Sequence, residues 1–407
     1  MAVRIIKREK YLARIRPFID SELVKILTGI RRSGKSVLLS LIREELLNKG
    51  VPRDNIVFFN FESQENMAFA YAEGLHDKIR AIAEKCDGRI YLFFDEIQIV
   101  DNWEVAINSI RATFDCDIFI TGSNSKLLSS ELSTHLAGRC VQFVVYPFGF
   151  EEFIESYRAN IGDATREDMF RQFLLVGGMP YVFGQGLDPD SVRQYLSDTY
   201  KIVQVDDIAR RYSIRNIDLL ERVANYVTVN TGTAFSANNI VKFLKNQRRP
   251  TTSDTVLNYL RYFCDAFIFY KVPQGDVIGK EIFASNEKYY IADHGIREAV
   301  FGGNMRQINL ILENIVFIEA LRRGFKVYVG KVRDKEIDFV CFKQNKKIYI
   351  QVTYLLASEE TLKREFGVYA DVKDNFPKYV VSMDTLDFSE NGIMHRNIID
   401  FLLQDEW

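Results

Sequence analysis

Residues 29–36 read Gly-Ile-Arg-Arg-Ser-Gly-Lys-Ser, the feature that most narrows what this 407-residue chain can fold into. The spacing is GxxxxGK[ST], set between an apolar run at 22–28 (ELVKILT) and an amphipathic run at 35–49 (KSVLLSLIREELLNK). A strand that turns through glycines into a helix N-terminus gathers backbone N–H groups and positive potential at one point, which suits a phosphate. Gly29 and Gly34 let the backbone wrap the anion, with Ile30, Arg31, Arg32, Ser33 and Val37 completing the stretch that would touch nucleotide. Lys35 would reach the β/γ-phosphates and the Ser36 hydroxyl would coordinate Mg²⁺. The competing reading is a chance glycine turn before a helix.

A second signal lies sixty positions on, in Tyr91-Leu92-Phe93-Phe94-Asp95-Glu96. An apolar strand that ends in two acids is costly unless a cation or an activated water meets them. Asp95 therefore suits the Mg²⁺ shell and Glu96 the base that polarises an attacking water, which favours hydrolysis over simple nucleotide sensing. The strand Asp117–Thr121 runs into Gly122-Ser123-Asn124-Ser125. In α/β sheets, ligands sit beyond the carboxyl ends of the strands, so Ser123 or Asn124 could touch the γ-phosphate or the water. The same residues also read as a capping turn ahead of a helix at 125–128.

Short apolar runs at 22–28, 55–61, 90–95, 117–121 and 141–146 alternate with helical patterns, notably 35–49 and 102–114. This pattern predicts an α/β fold whose first domain, 1–147, is a three-layer unit with a parallel sheet. Residues 148–230 read as a helical, lid-like segment broken at Gly177-Gly178-Met179-Pro180. In 231–304, helices over 237–246 and 253–263, the second capped by Ser253, precede alternating segments near 266–272 and 288–292, which suggests a winged helix. Residues 305–407 form a further α/β unit, with a helix at 308–323 and strands at 325–329, 336–342, 347–352 and 379–382.

Composition excludes several classes. The 53 basic and 55 acidic side chains leave a net charge of −2, which does not suit a globally basic nucleic-acid coat. Cysteines at 86, 116, 140, 264 and 341 are too scattered for metal pairs and odd in number, which argues against a disulfide framework, and the four histidines are too dispersed for a zinc site. The start, MAVRIIKREK, places charges where a signal peptide needs apolar residues, and no later run nears the ~18 apolar residues of a membrane span. A cytoplasmic, reducing location with no membrane partner is expected.

The glycine loop, the Asp95-Glu96 strand and the polar strand between them resemble the AAA+ and related STAND class of P-loop ATPases. Thr28–Ser36, Phe94-Asp95-Glu96-Ile97-Gln98, Thr121–Ser125, Leu136-Ala137-Gly138-Arg139, Pro147–Phe153 and Gly177–Pro180 are similar to one prokaryotic family of AAA-type ATPases. The resemblance implies ATP as the nucleotide, and no guanine-reading NKxD sequence argues otherwise. It also implies an arginine, Arg139, pointing at nucleotide as a finger supplied in cis or by a neighbouring subunit of an oligomer. An ordinary ion-pairing surface arginine is the alternative. Arg31 and Arg32 are read as supporting the loop.

In the last unit, Glu313 on a helix, Asp338 on a strand and Gln351-Val352-Thr353 at the end of the next resemble the PD-(D/E)XK core of restriction-endonuclease-like folds. Such a core cuts phosphodiesters with a metal held by anionic oxygens and a lysine that positions water. Here Thr353 stands at the lysine position and Gln351 replaces a carboxylate, so a degenerate module is expected. Glu313 or Glu336 could restore a carboxylate, and Lys346 or Lys347 the cation. Lys242, Lys245, Arg248 and Arg249 make the helix-pair connection basic, but the second helix offers Arg261 as its one cation and reads as packed through Tyr259, Tyr262 and Phe263. The expected function is Mg²⁺-dependent ATP hydrolysis coupled to these modules, which would contact DNA or protein. An ATP-regulated DNA-binding protein and an active ATP-dependent nuclease are the alternatives.

Overall fold

The computed structural model describes residues 3–124, 136, 138–277 and 282–407. They form two compact units, one of Ile5–Tyr146 with Asp265–Phe267, the other of Pro147–Cys264 and Ile268–Trp407 with Val3 and Arg4.

Five parallel strands organise the first unit: β1 (Val24–Thr28), β2 (Ile56–Asn60), β3 (Ile90–Asp95), β4 (Cys116–Gly122) and β5 (Cys140–Val144). Their order is β2-β3-β4-β1-β5. β3 and β4 are buried along their whole length, as strands covered on both faces must be, and this is why they read as continuous apolar runs. Phe93 stacks on Phe119 at 4.8 Å between centroids, and Phe59 on Phe94 at 5.7 Å. Leu75 and Ile79 of the helix Ala72–Ala83, and Trp103, Ile107 and Ile110 of the helix Trp103–Thr113, join one face of this core. Each fully buried side chain of this size contributes ~1.5–3 kcal/mol. The register pairs Thr28 with Gly122 and with Val144, and Asn60 with Asp95, so the loop after β1, the acids after β3 and Ser123 after β4 emerge at one edge. Ser125, the helix expected at 125–128 and Ala137 lie outside the described residues.

The second unit carries a sheet of β6 (Ala234–Phe235), β7 (Phe269–Asp276), β8 (Ile282–Ile291), β9 (Lys326–Val332), β10 (Lys335–Lys343), β11 (Lys346–Val352), β12 (Lys378–Ser382) and β13 (Met394–Asn397). It runs β13-β12-β11-β10-β9-β7-β8-β6. β7 pairs in parallel with β9, so one sheet takes strands from both sides of the boundary expected at 304/305. Residues 148–230 are helical over Phe150–Asn160, Arg166–Val176, Pro189–Ile202 and Ile217–Val229, with an unforeseen π-helical stretch at Val203–Arg210.

Two motifs singled out above prove to be joints of this second unit. The Gly178 N–H donates to Asp293 at 2.6 Å and its carbonyl accepts from Phe148 at 2.7 Å, while a Cβ on Gly178 would meet the Phe148 carbonyl oxygen at 2.1 Å. Glu152 pairs with Arg322 at 2.7 Å beneath Gly149, where a Cβ would strike the same guanidinium. Helix Ser253–Asp265 begins one residue earlier than its expected cap implies: Thr252, not Ser253, accepts the N–H of Thr255 through its hydroxyl. Tyr259 and Phe263 are buried, and Tyr262 stacks on Tyr212 at 3.6 Å.

Under the first sheet, Lys25 of β1 is paired with Asp117 of β4, both side chains fully buried. Burial pushes the Lys25 pKa down and the Asp117 pKa up, the mutual charge opposing both shifts. Removing one partner leaves a lone buried charge, so Lys25→Met is expected to destabilise the protein by about 3–5 kcal/mol. Lys25→Met with Asp117→Leu should recover most of that loss in urea-unfolding midpoints. A double variant no more stable than the single one would show that the pair is needed for more than charge balance.

Candidate functional site

The loop after β1 takes left-handed backbone at Gly29 (φ 139°), Arg32 (φ 65°) and Gly34 (φ 97°) before the helix Lys35–Asn48 begins. Gly29 is required sterically as well, because a Cβ there would lie 2.2 Å from the Val145 carbonyl oxygen at the end of β5. Lys35 is buried and turns its ammonium over the loop, 3.0 Å from the Gly29 carbonyl and 3.1 Å from that of Ile30. Ile30 and Ser33 are fully buried, whereas Ser36 is exposed and Val37 half-buried at the helix start.

β3 delivers Asp95 beside this loop. Burial raises its pKa, opposed by hydrogen bonds from the Thr121 and Ser36 hydroxyls, and the charge of Lys35 acts in the same direction as those bonds. Glu96 adopts left-handed backbone (φ 54°), an uncommon state for a side chain with a Cβ. Its N–H donates to Thr121 Oγ1 at 3.0 Å, and its carboxylate accepts from the Gln98 amide. Thr121 thus donates to one acid and accepts from the backbone of the next. Sequence reasoning named Ser123 and Asn124 at this strand end. Both are buried, but the residue that joins the acid pair is Thr121, two positions earlier.

Arg8 was also missed. Its guanidinium, buried, donates to the carbonyls of Ser33 and Tyr146 at 2.8 Å each, tying the loop to the end of this unit's chain. No local pattern marks it, since its partners lie 25 and 138 residues away. Arg31 reaches Glu62 at 3.0 Å and Arg32 is exposed, in keeping with support of the loop.

Arg139 requires a correction. Its carbonyl accepts from the Val24 N–H at 2.9 Å, and β5 runs parallel to β1, so it stands at the amino edge of the sheet. The glycine loop leaves the opposite edge, roughly 13 Å of strand away at ~3.3 Å per residue. The side chain is exposed and donates to Asn108 at 3.1 Å. A finger supplied in cis, one of the two forms that the resemblance implied, does not fit this geometry.

The donors at the carboxyl edge fit a nucleotide phosphate with its divalent ion. Ser33 Oγ is buried with no hydrogen-bond partner among the described residues, the Lys35 ammonium lies over the loop carbonyls of Gly29 and Ile30, and Ser36 and Asp95 present adjacent hard oxygens.

A second polar cluster lies in the second unit. Glu313 extends from the helix Ile308–Arg322, Asp338 from β10 and Gln351 from β11. The Asp338 N–H donates to Gln351 Oε1 at 3.2 Å, the Val352 N–H to Asp338 Oδ2 at 2.8 Å, and Gln351 Nε2 to Glu365 at 2.9 Å. Thr353 is buried beside them and its N–H is taken by the Val381 carbonyl. Burial and then the Glu313 charge hold the Asp338 carboxyl far above the usual carboxylate range. Neither lysine considered as a stand-in reaches the cluster: Lys346 pairs with Glu406 at 2.7 Å and Lys347 with Asp374 at 3.1 Å. Lys288 of β8 does, at 3.0 Å from Glu313 and 2.8 Å from Glu336. Among the described residues, no three His, Cys, Asp or Glu side chains are grouped so as to hold a metal ion.

Residues 21–154 match the AAA domain family, and residues 167–307 match a domain of unknown function. A protein of Haemophilus influenzae, known only as an uncharacterized protein, is 35% identical over 405 residues, covering 99% of this chain and 100% of the relative. This chain belongs to that family. An uncharacterized protein of Methanocaldococcus jannaschii is 29% identical over 392 residues, or 93% of this chain and 85% of the relative. The N-terminal region is an AAA-type P-loop ATPase domain, and the five-stranded parallel sheet is the core of that α/β fold. Among solved structures, Orc1 of Aeropyrum pernix in complex with DNA aligns at 13% identity and a TM-score of 0.31, over 73% of this chain and 93% of that one. The replication initiator DnaA bound to AMPPCP and single-stranded DNA aligns at 15% and 0.36, over 64% and 89%. Overlaps this distant carry no argument about the family's chemistry. No helix among the described residues is long and apolar enough to cross a membrane.

Thr121→Val keeps the shape of the side chain but strips the acid pair of its shared hydroxyl. Leaving a buried carboxyl short of a donor costs about 1–3 kcal/mol, so the variant should unfold at a lower denaturant concentration and Thr121→Ser should restore most of the difference. Equal stability of the Val and wild-type proteins would deny Thr121 its bridging role.

Proposed function

We propose that the protein is an ATPase whose turnover depends on Mg²⁺, and that it transmits its nucleotide state to the modules that follow the ATPase core. The observation that carries this reading is the convergence of Lys35, Ser36 and Asp95 at the carboxyl edge of one sheet, with Glu96 beside them. Lys35 neutralises the β/γ-phosphates, and the backbone of Gly29–Ser36 wraps them. Ser36 and Asp95 hold the divalent ion, which supplies charge neutralisation at the phosphates. Glu96, set apart from Asp95 by its left-handed backbone and held by Gln98, orients the attacking water and takes its proton. Ser123 and Asn124 line the γ-phosphate side of the site. Arg139, exposed and remote from its own loop, serves a neighbouring subunit as a finger, which makes the active form an oligomer.

In this reading, residues 148–230 act as a lid-like segment and 231–304 as a winged helix, supported by the order helix, short strand, two helices and a two-stranded hairpin. Its partner is a protein rather than DNA. Arg249 of the helix connection is already paired with Asp218 at 3.5 Å, and the second helix turns its aromatics into packing. Residues 305–407 are a nuclease-like module that no longer cuts, supported by Gln351 and Thr353 at the positions of a carboxylate and a lysine. The five free thiols accord with a reducing cytoplasm.

Nucleotide binding and turnover separate these roles. Lys35→Ala is expected to lose ATP binding, whereas Glu96→Gln should bind ATP and lose turnover by ~10²–10⁴-fold. Asp95→Ala should weaken binding in the presence of Mg²⁺ and less in its absence. Equal loss of binding in the Lys35 and Glu96 variants, read by fluorescent-nucleotide titration, would overturn the division. Mixing Arg139→Ala with Glu96→Gln protein should regain turnover if the arginine acts across subunits; no recovery in a mixture shown to form mixed oligomers would remove it from the mechanism.

A further inference from the structure

We propose that the Lys288 ammonium is the resident cation of the Glu313–Glu336–Asp338 cluster, supplying from within the chain the positive charge that a divalent ion would otherwise bring. This inference rests on the reading of 305–407 as a nuclease-like module and says why that module is closed to metal.

Lys288 comes from β8, a strand of the preceding segment, and arrives at the acids through the continuous sheet. Its ammonium lies 3.0 Å from Glu313 Oε1 and 2.8 Å from Glu336 Oε1, and the side chain is almost wholly buried. Two carboxylates at ion-pair distance, Glu313 and Glu336, face the ammonium from a helix and a strand. The cluster thus holds its own counter-charge.

The oxygens that a metal would need are also engaged. Glu313 Oε1 accepts from both Lys288 and the Tyr290 hydroxyl. Asp338 Oδ2 accepts from the Val352 N–H, and Gln351 Oε1 from the Asp338 N–H. Glu365 takes the Gln351 amide on one oxygen and Arg364 on the other. Glu336 Oε2 lies 3.3 Å from the Gln274 amide of β7. Gly232 closes over Glu313, with room for a Cβ only 3.3 Å from the Tyr290 ring and 3.7 Å from Glu313 Oε1. A divalent ion needs several oxygens at ~2.0–2.6 Å and would have to displace these donors and repel the ammonium. Lys288 also joins β8 to the helix Ile308–Arg322 and to β10, so the same group that excludes the metal fastens the hairpin to the module.

The test is equilibrium binding of Mn²⁺ to the full-length, nucleotide-free protein, with free Mn²⁺ measured by its electron paramagnetic resonance signal. Wild type and Asp338→Asn should bind Mn²⁺ identically. Lys288→Met, which keeps the apolar stem, should gain one Mn²⁺ per chain at least tenfold tighter than any wild-type site, and that ion should vanish in Lys288→Met with Asp338→Asn. A wild-type Mn²⁺ lost on Asp338→Asn overturns the inference, as does a folded Lys288→Met that gains no ion. Should Lys288→Met fail to fold, the wild-type and Asp338→Asn comparison decides alone: equal binding supports the inference and an Asp338-dependent ion ends it. DNA incubated with wild type in Mn²⁺ separates the two levels of argument. Cleavage abolished by Asp338→Asn would sink the non-cutting module itself, whereas an Asp338-dependent ion without cleavage sinks only the role given to Lys288.

Discussion

A carboxylate that cannot face water ties the first unit together. Asp95 ends a strand whose every residue is buried, and such a group persists only where donors meet it. The donors come from two other places in the chain, Thr121 at the end of β4 and Ser36 at the start of the helix after the glycine loop. Meeting that one requirement aligns three segments at the same sheet edge. The parallel register then does the rest, because β3, β4 and β1 are neighbours and their carboxyl ends must emerge together. Glu96 follows from the same anchor: its N–H is fixed to Thr121, and its backbone turns out of the strand direction.

What could be read from sequence was what is local. A glycine loop between a strand and a helix, an apolar run ending in two acids, and periods of two or 3.6 residues all lie within a dozen positions, and they located the sheet, its loop and the paired carboxylates. Thr121, Arg8 and Lys288 escaped because each acts on a partner far along the chain, and a threonine, an arginine or a lysine in an ordinary pattern carries no mark of that. For Arg139, which the resemblance offered as a finger in cis or in trans, topology bears on the cis form alone: in a parallel sheet the residue before a strand and the residue after its neighbour lie at opposite edges. The one-residue error at Thr252 is of a milder kind, since two adjacent hydroxyl residues can each cap a helix and only the chain's entry direction chooses between them.

Both units bury charge at their joints. Lys25 with Asp117 lies under the first sheet, and Glu152, Arg322 and Glu319 form a buried cluster in the second, where Arg322 also donates to the Pro147 carbonyl. Pairs of this kind contribute little net stability compared with apolar replacements, because desolvation offsets most of their attraction. Their effect is on geometry: an ammonium or guanidinium removed from its carboxylate is far costlier than the same pair kept together, so each cluster tolerates only one arrangement. The glycines at 149 and 178 belong to the same logic, since they are the positions where a Cβ would meet a buried guanidinium or a carbonyl.

This bears on how nucleotide state could reach the end of the chain. β7 and β8 share a sheet with β9 through β13, and Lys288 adds buried ion pairs between the hairpin and the helix and strand that follow. Sliding the hairpin against the module would break parallel backbone pairing at Gln274–Val329 and strand an ammonium among apolar and acidic neighbours. Both costs fall at once, so the hairpin and the strands that follow it hold together as one sheet, and coupling of the kind proposed above would have to act on that sheet as a whole.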